Sequence, residues 1–208
     1  MPTIIGFDIE TGPLEKLPPF DRSTVKLGVL KDKAKIEAKY VAAEQAYIER
    51  AALSPLTGRV LAIGIGDLET DPLILGGEES SLLESFWGAV DHTAHMVGFN
   101  IRGFDLPFLV RRSMLLGVDV PPGMIDARGY WHHCFVDLLD RWRCGDRQLW
   151  VKLDALAAAF GVAGKLEGVT GADFADLWHG TKKDREKAVA YLKQDVQILL
   201  ELAPRMGV

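Results

Sequence analysis

Two cysteines in 208 residues, Cys134 and Cys144, are too few to staple a fold. No run of eighteen apolar residues occurs, so no membrane-spanning helix is expected. The opening residues, MPTIIGFDIE, lack the basic stretch and the long apolar core of a secretion signal. Reduced thiols in the cytoplasm are the expectation that follows. Internal repeats and low-complexity tracts are missing as well. So is an excess of positive charge: 24 Lys and Arg stand against 29 Asp and Glu, a net charge of −5. That balance argues against a nucleic-acid partner, unless acidic residues gather around a cation and change sign when it binds. What is present is 48% hydrophobic and 25% charged, the balance of a globular protein. The length suits a single domain over 1–208 that carries an insertion.

Residues 3–9 are apolar and β-branched and read as a strand. Residues 59–66 (RVLAIGIG) read as a second, and Leu73-Ile74-Leu75 as a short third after a turn at 69–72. Consecutive strands favour an antiparallel start to the sheet. The pattern then alternates: a helix over 79–90, a strand over 96–99, a helix over 106–116 and a strand over 134–138. Such alternation favours parallel strands joined by helices. Residues 153–160 read as a short helix that stops at Gly161, and Trp178 falls on another. Residues 182–202 read as a closing helix with Val189, Leu192, Val196, Leu199 and Leu200 on one stripe. The expected fold is α/β, with a mixed five-stranded sheet flanked by helices. Residues 13–55 interrupt this rhythm as a helical insertion, with a long helix over 32–53. Lys31, Lys33, Lys35 and Lys39 load its first turns with charge that opposes the helix dipole. A solvated face and a basic lid for a polyanion both fit that pattern.

Three motifs can carry chemistry. Side chains alternate along a strand, so Asp8 and Glu10 of Phe7-Asp8-Ile9-Glu10-Thr11 share a face. Two such carboxylates repel each other, and a divalent cation with a taste for oxygen ligands removes that cost. Alone, the pair reads equally as two solvated acids at a strand end. The second motif, Val97-Gly98-Phe99-Asn100-Ile101-Arg102-Gly103-Phe104-Asp105, follows a strand and opens a helix. There Asp105 fits a helix cap and Asn100 a turn. The third, Tyr191-Leu192-Lys193-Gln194-Asp195, puts a hydroxyl and a carboxylate on one helix face, at the border of the apolar stripe.

Together, D-x-E, N-x4-D and Y-x3-D, in that order, resemble the DEDD superfamily of 3′–5′ exonucleases, Tyr subclass, on a ribonuclease H-like fold. More closely, the chain resembles the stand-alone proteins related to the proofreading exonuclease domain of family B DNA polymerases. The phrases GFDIETG, GRVLAIGIGD, VGFNIRGFDLPFL, KLDALAAAFGV and YLKQDVQILLEL carry the similarity along nearly the whole chain. The resemblance implies that Asp8, Glu10, Asp105 and Asp195 hold two divalent cations, Mg²⁺ or Mn²⁺. It implies that Tyr191 orients the attacking water. A His-type member carries its His five residues before the last Asp, where this chain has Ala190. The expected substrate is nucleic acid with a free 3′ end, single-stranded DNA first. Ile9, Thr11, Asn100, Phe104 and Lys165 are the candidate substrate contacts. An RNA exonuclease on the same site is the alternative within chemistry. A non-catalytic module that binds 3′ ends or a replication or repair partner is the alternative outside it.

Other residues have two readings each. Asp137 fits either a supporting acid behind the site or a helix cap. Lys152, like Lys165, fits either nucleic-acid contact or a solvated surface. Arg141, Arg143 and Arg147 lie near Trp142 and Trp150. Basic plus aromatic residues grip single strands, although tryptophans are more often expected in the core. His132, His133 and Cys134 invite a zinc reading. It is rejected because adjacent residues on a strand face opposite ways and no second ligand pair is evident.

Overall fold

The computed structural model describes residues 3–126, 129–164 and 170–208. Five strands form one sheet: β1 (Ile4–Pro13), β2 (Gly58–Asp67), β3 (Leu73–Gly76), β4 (His95–Gly98) and β5 (Phe135–Asp137). Their order is β3-β2-β1-β4-β5, which puts β1 in the centre. β2 and β3 pair antiparallel, whereas β4 runs parallel to both β1 and β5. The sheet is therefore mixed, as the alternating half of the sequence requires.

Two helices cover one face: α2 (Glu79–Ala89) and α3 (Asp105–Leu116). Their apolar sides meet Phe7, Ile9, Met96 and Phe135 in the largest core cluster. A buried ion pair locks this layer. The Glu79 carboxylate accepts from Arg112 Nε at 2.9 Å and Nη2 at 2.7 Å, and from the Val60 amide at 2.8 Å. On the other face lie α5 (Leu153–Ala159), α6 (Gly171–His179) and α7 (Lys182–Arg205). A six-residue helix α4 (Leu138–Arg143) continues directly from β5. It has no apolar periodicity long enough to betray it in the sequence.

The long helix α7 sits unusually close to the sheet because two strand residues have no side chain. A Cβ on Gly6 would lie 3.0 Å from Leu200 Cγ, and one on Gly64 would lie 2.8 Å from Val196 Cγ2 and 3.0 Å from Leu192 Cγ. This trough across β1 and β2 receives the stripe expected on the closing helix. Leu192, Val196, Leu199 and Leu200 are all buried, while Val189 is half-buried.

The chain divides into two compact units, one of Met1–Glu10 with Val60–Val208 and one of Thr11–Arg59. The second unit contains α1 (Lys33–Glu49), which buries none of its residues. Asp32 caps it by accepting from the Ala34 and Lys35 amides, which offsets the lysines that follow. Within that unit Arg22 grips Glu37 through two hydrogen bonds and lies over the Tyr40 ring. The Tyr47 hydroxyl donates to the Pro18 carbonyl at 2.8 Å.

Candidate active site

Strand alternation and helix docking together build the site. Phe7 and Ile9 turn into the core, so Asp8 and Glu10 turn to the face that α7 covers. With α7 lowered onto Gly6 and Gly64, Asp195 reaches the same place. One carboxylate oxygen from each of Asp8, Glu10 and Asp195 lies within 4.8 Å of the others. Asp195 is 3% exposed and Glu10 9%, so two of the three acids are largely out of water. Such crowding is costly without a counter-charge. Three hard oxygen donors at this spacing fit Mg²⁺ or Mn²⁺.

A cleft of about 230 Å³ opens on these acids. Ile9, Asn100, Phe104, Asp105, Leu153 and Tyr191 line it beside them. The structure thus gathers Asp8, Glu10, Ile9, Asn100, Phe104, Asp105, Tyr191 and Asp195 in one place. Asp105 stands in the cleft wall outside the three-acid group. It is the first residue of α3 rather than its cap, and its Oδ1 accepts from the Ile9 amide at 3.4 Å. Burial pushes its carboxyl up to about 7, and the Asp137 charge pushes the same way. Thr11 is buried on β1, in the second compact unit. Lys165 lies outside the described residues.

The loop between β4 and α3 is held from beneath by Asp137. Its carboxylate accepts from the amides of Asn100 and Arg102, each at 2.9 Å, and from Leu139 at 3.0 Å and Asp140 at 3.4 Å. The acid therefore caps α4 and clamps the loop at once, so both readings of Asp137 are realised. Burial raises its pKa, against the pull of these amides. The loop turns tightly at Asn100, whose φ is +59°. Gly98 makes room for it, since a Cβ there would lie 2.2 Å from Ile101 Cγ2.

One wall was not foreseen. Gly171 opens α6, and a Cβ on it would lie 3.8 Å from a Glu10 carboxylate oxygen and 3.9 Å from the Tyr191 hydroxyl. Nothing local in the sequence marks this glycine, because the neighbours that define it are far away along the chain. Two other expectations are corrected. Trp142 and Trp150 are not core residues: they are 39% and 59% exposed, on and after the short helix α4. His132 and His133 do not face opposite ways, because β5 begins only at Phe135; their rings pack with centroids 4.1 Å apart.

Comparison with known proteins follows the same line as the geometry. Residues 60–198 match a family described as a predicted 3′-5′ exonuclease related to the exonuclease domain of PolB. The chain belongs to this family. The match begins after Asp8 and Glu10, so it is the fold that brings these two to the family's segment. An uncharacterized protein of Methanocaldococcus jannaschii is 25% identical over 162 residues, 74% of this chain and 89% of its own. A family B DNA polymerase of the archaeon Pyrobaculum calidifontis superposes with a TM-score of 0.67 at 21% identity, over 99% of this chain. The chain spans about a quarter of that polymerase's length (25%). The fold is therefore that of a polymerase exonuclease domain, ribonuclease H-like.

Proposed function

We propose that this chain is a divalent-metal-dependent 3′–5′ exonuclease of the Tyr subclass, acting on single-stranded DNA. The observation that carries the reading is the convergence of Asp8, Glu10 and Asp195 on one point, with Tyr191 in the same cleft wall. Asp8, Glu10 and Asp195 would hold one cation, and Asp8 with Asp105 a second. When bound, the cations supply Lewis-acid stabilisation to an in-line displacement at phosphorus.

The side chains have separate tasks. The Tyr191 hydroxyl, one helical turn ahead of Asp195, orients the attacking water by a hydrogen bond. Glu10, in the cleft wall, accepts from the terminal 3′-hydroxyl and so selects a free end. Phe104 and Leu153 flank the terminal base, a contact that tolerates any base because every base has a π-face. Asp137 keeps Asn100 and the start of α3 in position through its backbone hydrogen bonds. The products are nucleoside monophosphates.

Matched DNA and RNA oligonucleotides test this reading, free or blocked at the 3′ end and incubated with Mg²⁺, Mn²⁺ or chelator. A metal-dependent ladder from the 5′-labelled DNA strand, absent with the 3′ block, is the expected result. Hydrolysis in excess chelator overturns the metal reading. A ladder from RNA alone moves the substrate to RNA.

A further inference from the structure

An exposed tryptophan beside the cleft has a built support that the reaction does not use. Trp150 is 59% exposed, yet it is not loose. Arg143 lies over its ring at 5.5 Å from the centroid. The same guanidinium is fixed by Nε donating to the Leu149 carbonyl at 2.8 Å and Nη1 to Asp140 at 3.3 Å. The indole is thus held in place with much of its surface still in solvent.

Two exposed cations lie near it along the chain. Arg147 and Lys152 are exposed and have no ion-pair partner among the described residues. Of the nearby acids, Asp140 pairs with Arg143, Asp146 accepts from the Gln148 amide at 3.0 Å, and Asp154 lies in the first turn of α5. Leu153, three residues after Trp150, is part of the cleft wall. Three residues span at most about 10 Å. A stacked strand advances about 3.4 Å per nucleotide, so a strand with its end in the cleft that leaves along this side meets Trp150 by about its fourth nucleotide.

We propose that Trp150, with Arg143, Arg147 and Lys152 around it, is a stacking platform for the single strand that leads into the carboxylate cleft. The proposal rests on the exonuclease reading above and adds where the body of the substrate is held. A polyanion suits the unpaired cations, and an aromatic face suits its unstacked bases.

Length dependence tests it. KM and kcat are measured for a thymidine decamer and a thymidine dinucleotide, with wild type, Trp150→Ala and Trp150→Phe. The expected result is a rise of roughly 10-fold or more in KM for the decamer with Trp150→Ala. The dinucleotide, too short to reach the platform, should show a much smaller change. Trp150→Phe should recover most of the loss, because a ring remains. An equal change at both lengths, or none at the decamer, overturns the platform and leaves this surface to a protein partner. If wild type cleaves neither oligomer, the exonuclease reading is what has failed. The platform is then judged by anisotropy of a labelled decamer, where binding lost in Trp150→Ala supports it and binding unchanged overturns it.

Discussion

The two sides of the cleft are held by different forces. On one side Asp8, Glu10 and Asp195 stand on β1 and α7, which are pressed together through Gly6 and Gly64. On the other side Asn100 and Asp105 stand on a loop and a helix start, held by the Asp137 carboxylate and its amide partners. Packing positions the first group, and hydrogen bonding to a buried acid positions the second. Packing is stiff and tolerates little change of volume. A hydrogen-bonded loop depends on the charge of one residue. The comparison teaches that one cleft can be held by packed volume on one wall and by a buried acid on the other.

Experiments can break or sharpen this contrast. The largest effect is expected from Asp8→Asn, which should lower exonuclease turnover by roughly 10³-fold or more, because Asp8 would ligate both of the proposed cations. The same change should raise the melting temperature of the metal-free protein by relieving like-charge repulsion, roughly 2–4 °C if the relief is about 1 kcal/mol. A clear fall in that temperature would show that the acids do not crowd one another. Next comes Tyr191→Phe, which keeps the ring and removes the hydroxyl. A loss of about 10²-fold in kcat with little change in KM is expected, and wild-type single-turnover rates would remove the hydroxyl from the mechanism.

Gly64→Val probes the rigid wall. It should cost about 1–3 kcal/mol in thermal or denaturant unfolding by lifting α7, and Mn²⁺ affinity, measured by calorimetry, should fall with it. Asp137→Asn probes the other wall. It should cost about 1–2 kcal/mol, since an amide replaces a charged acceptor, while leaving Mn²⁺ bound by the three-acid group. If both variants weaken Mn²⁺ binding equally, the walls are not independent. The smallest effect is on pH dependence. The Asp105 carboxyl is raised to about 7 in the folded, metal-free protein. A raised carboxyl binds its proton more tightly folded than unfolded. Its contribution to stability is therefore full near pH 4 and lost as pH rises through 7. Thermal unfolding of wild type against Asp105→Asn from pH 5 to 8, without metal, should show wild type losing ground as pH rises. A constant difference would contradict the shift.

What was legible in the sequence follows from which rules are local. Alternation on a strand put Asp8 and Glu10 on one face, and i, i+4 spacing put Tyr191 beside Asp195; both needed only a few residues. The boundaries of β2, α2 and α3 fell within a residue of the pattern for the same reason. The illegible parts are those that depend on distant partners. Asp137 fits two readings in the sequence, a supporting acid and a cap, and sequence cannot join them because Asn100 and Arg102 come from another loop. Gly171 gave no signal because Glu10 and Tyr191 define its surroundings. The trough for α7 needs Gly6 and Gly64 on neighbouring strands, which only the sheet brings side by side. Of the two readings of Trp150, core or single-strand contact, composition favours the core, and the short α4 with its following turn leaves the residue outside it.

The meeting of β1 with α7 has a bearing on when the protein becomes active. Asp8 and Asp195 are separated by nearly the whole sequence, so their encounter closes one of the longest loops in the fold and belongs to its high-contact-order part. Loop closure of this span carries an entropy cost that only the docked helix repays. A partly folded chain, with the sheet formed but α7 free, keeps Asp8 and Glu10 and lacks Asp195 together with Tyr191. On the exonuclease reading, hydrolysis is then tied to completion of folding, and a refolding experiment should recover nuclease activity in step with protection of the α7 amides, after those of β1 and β4.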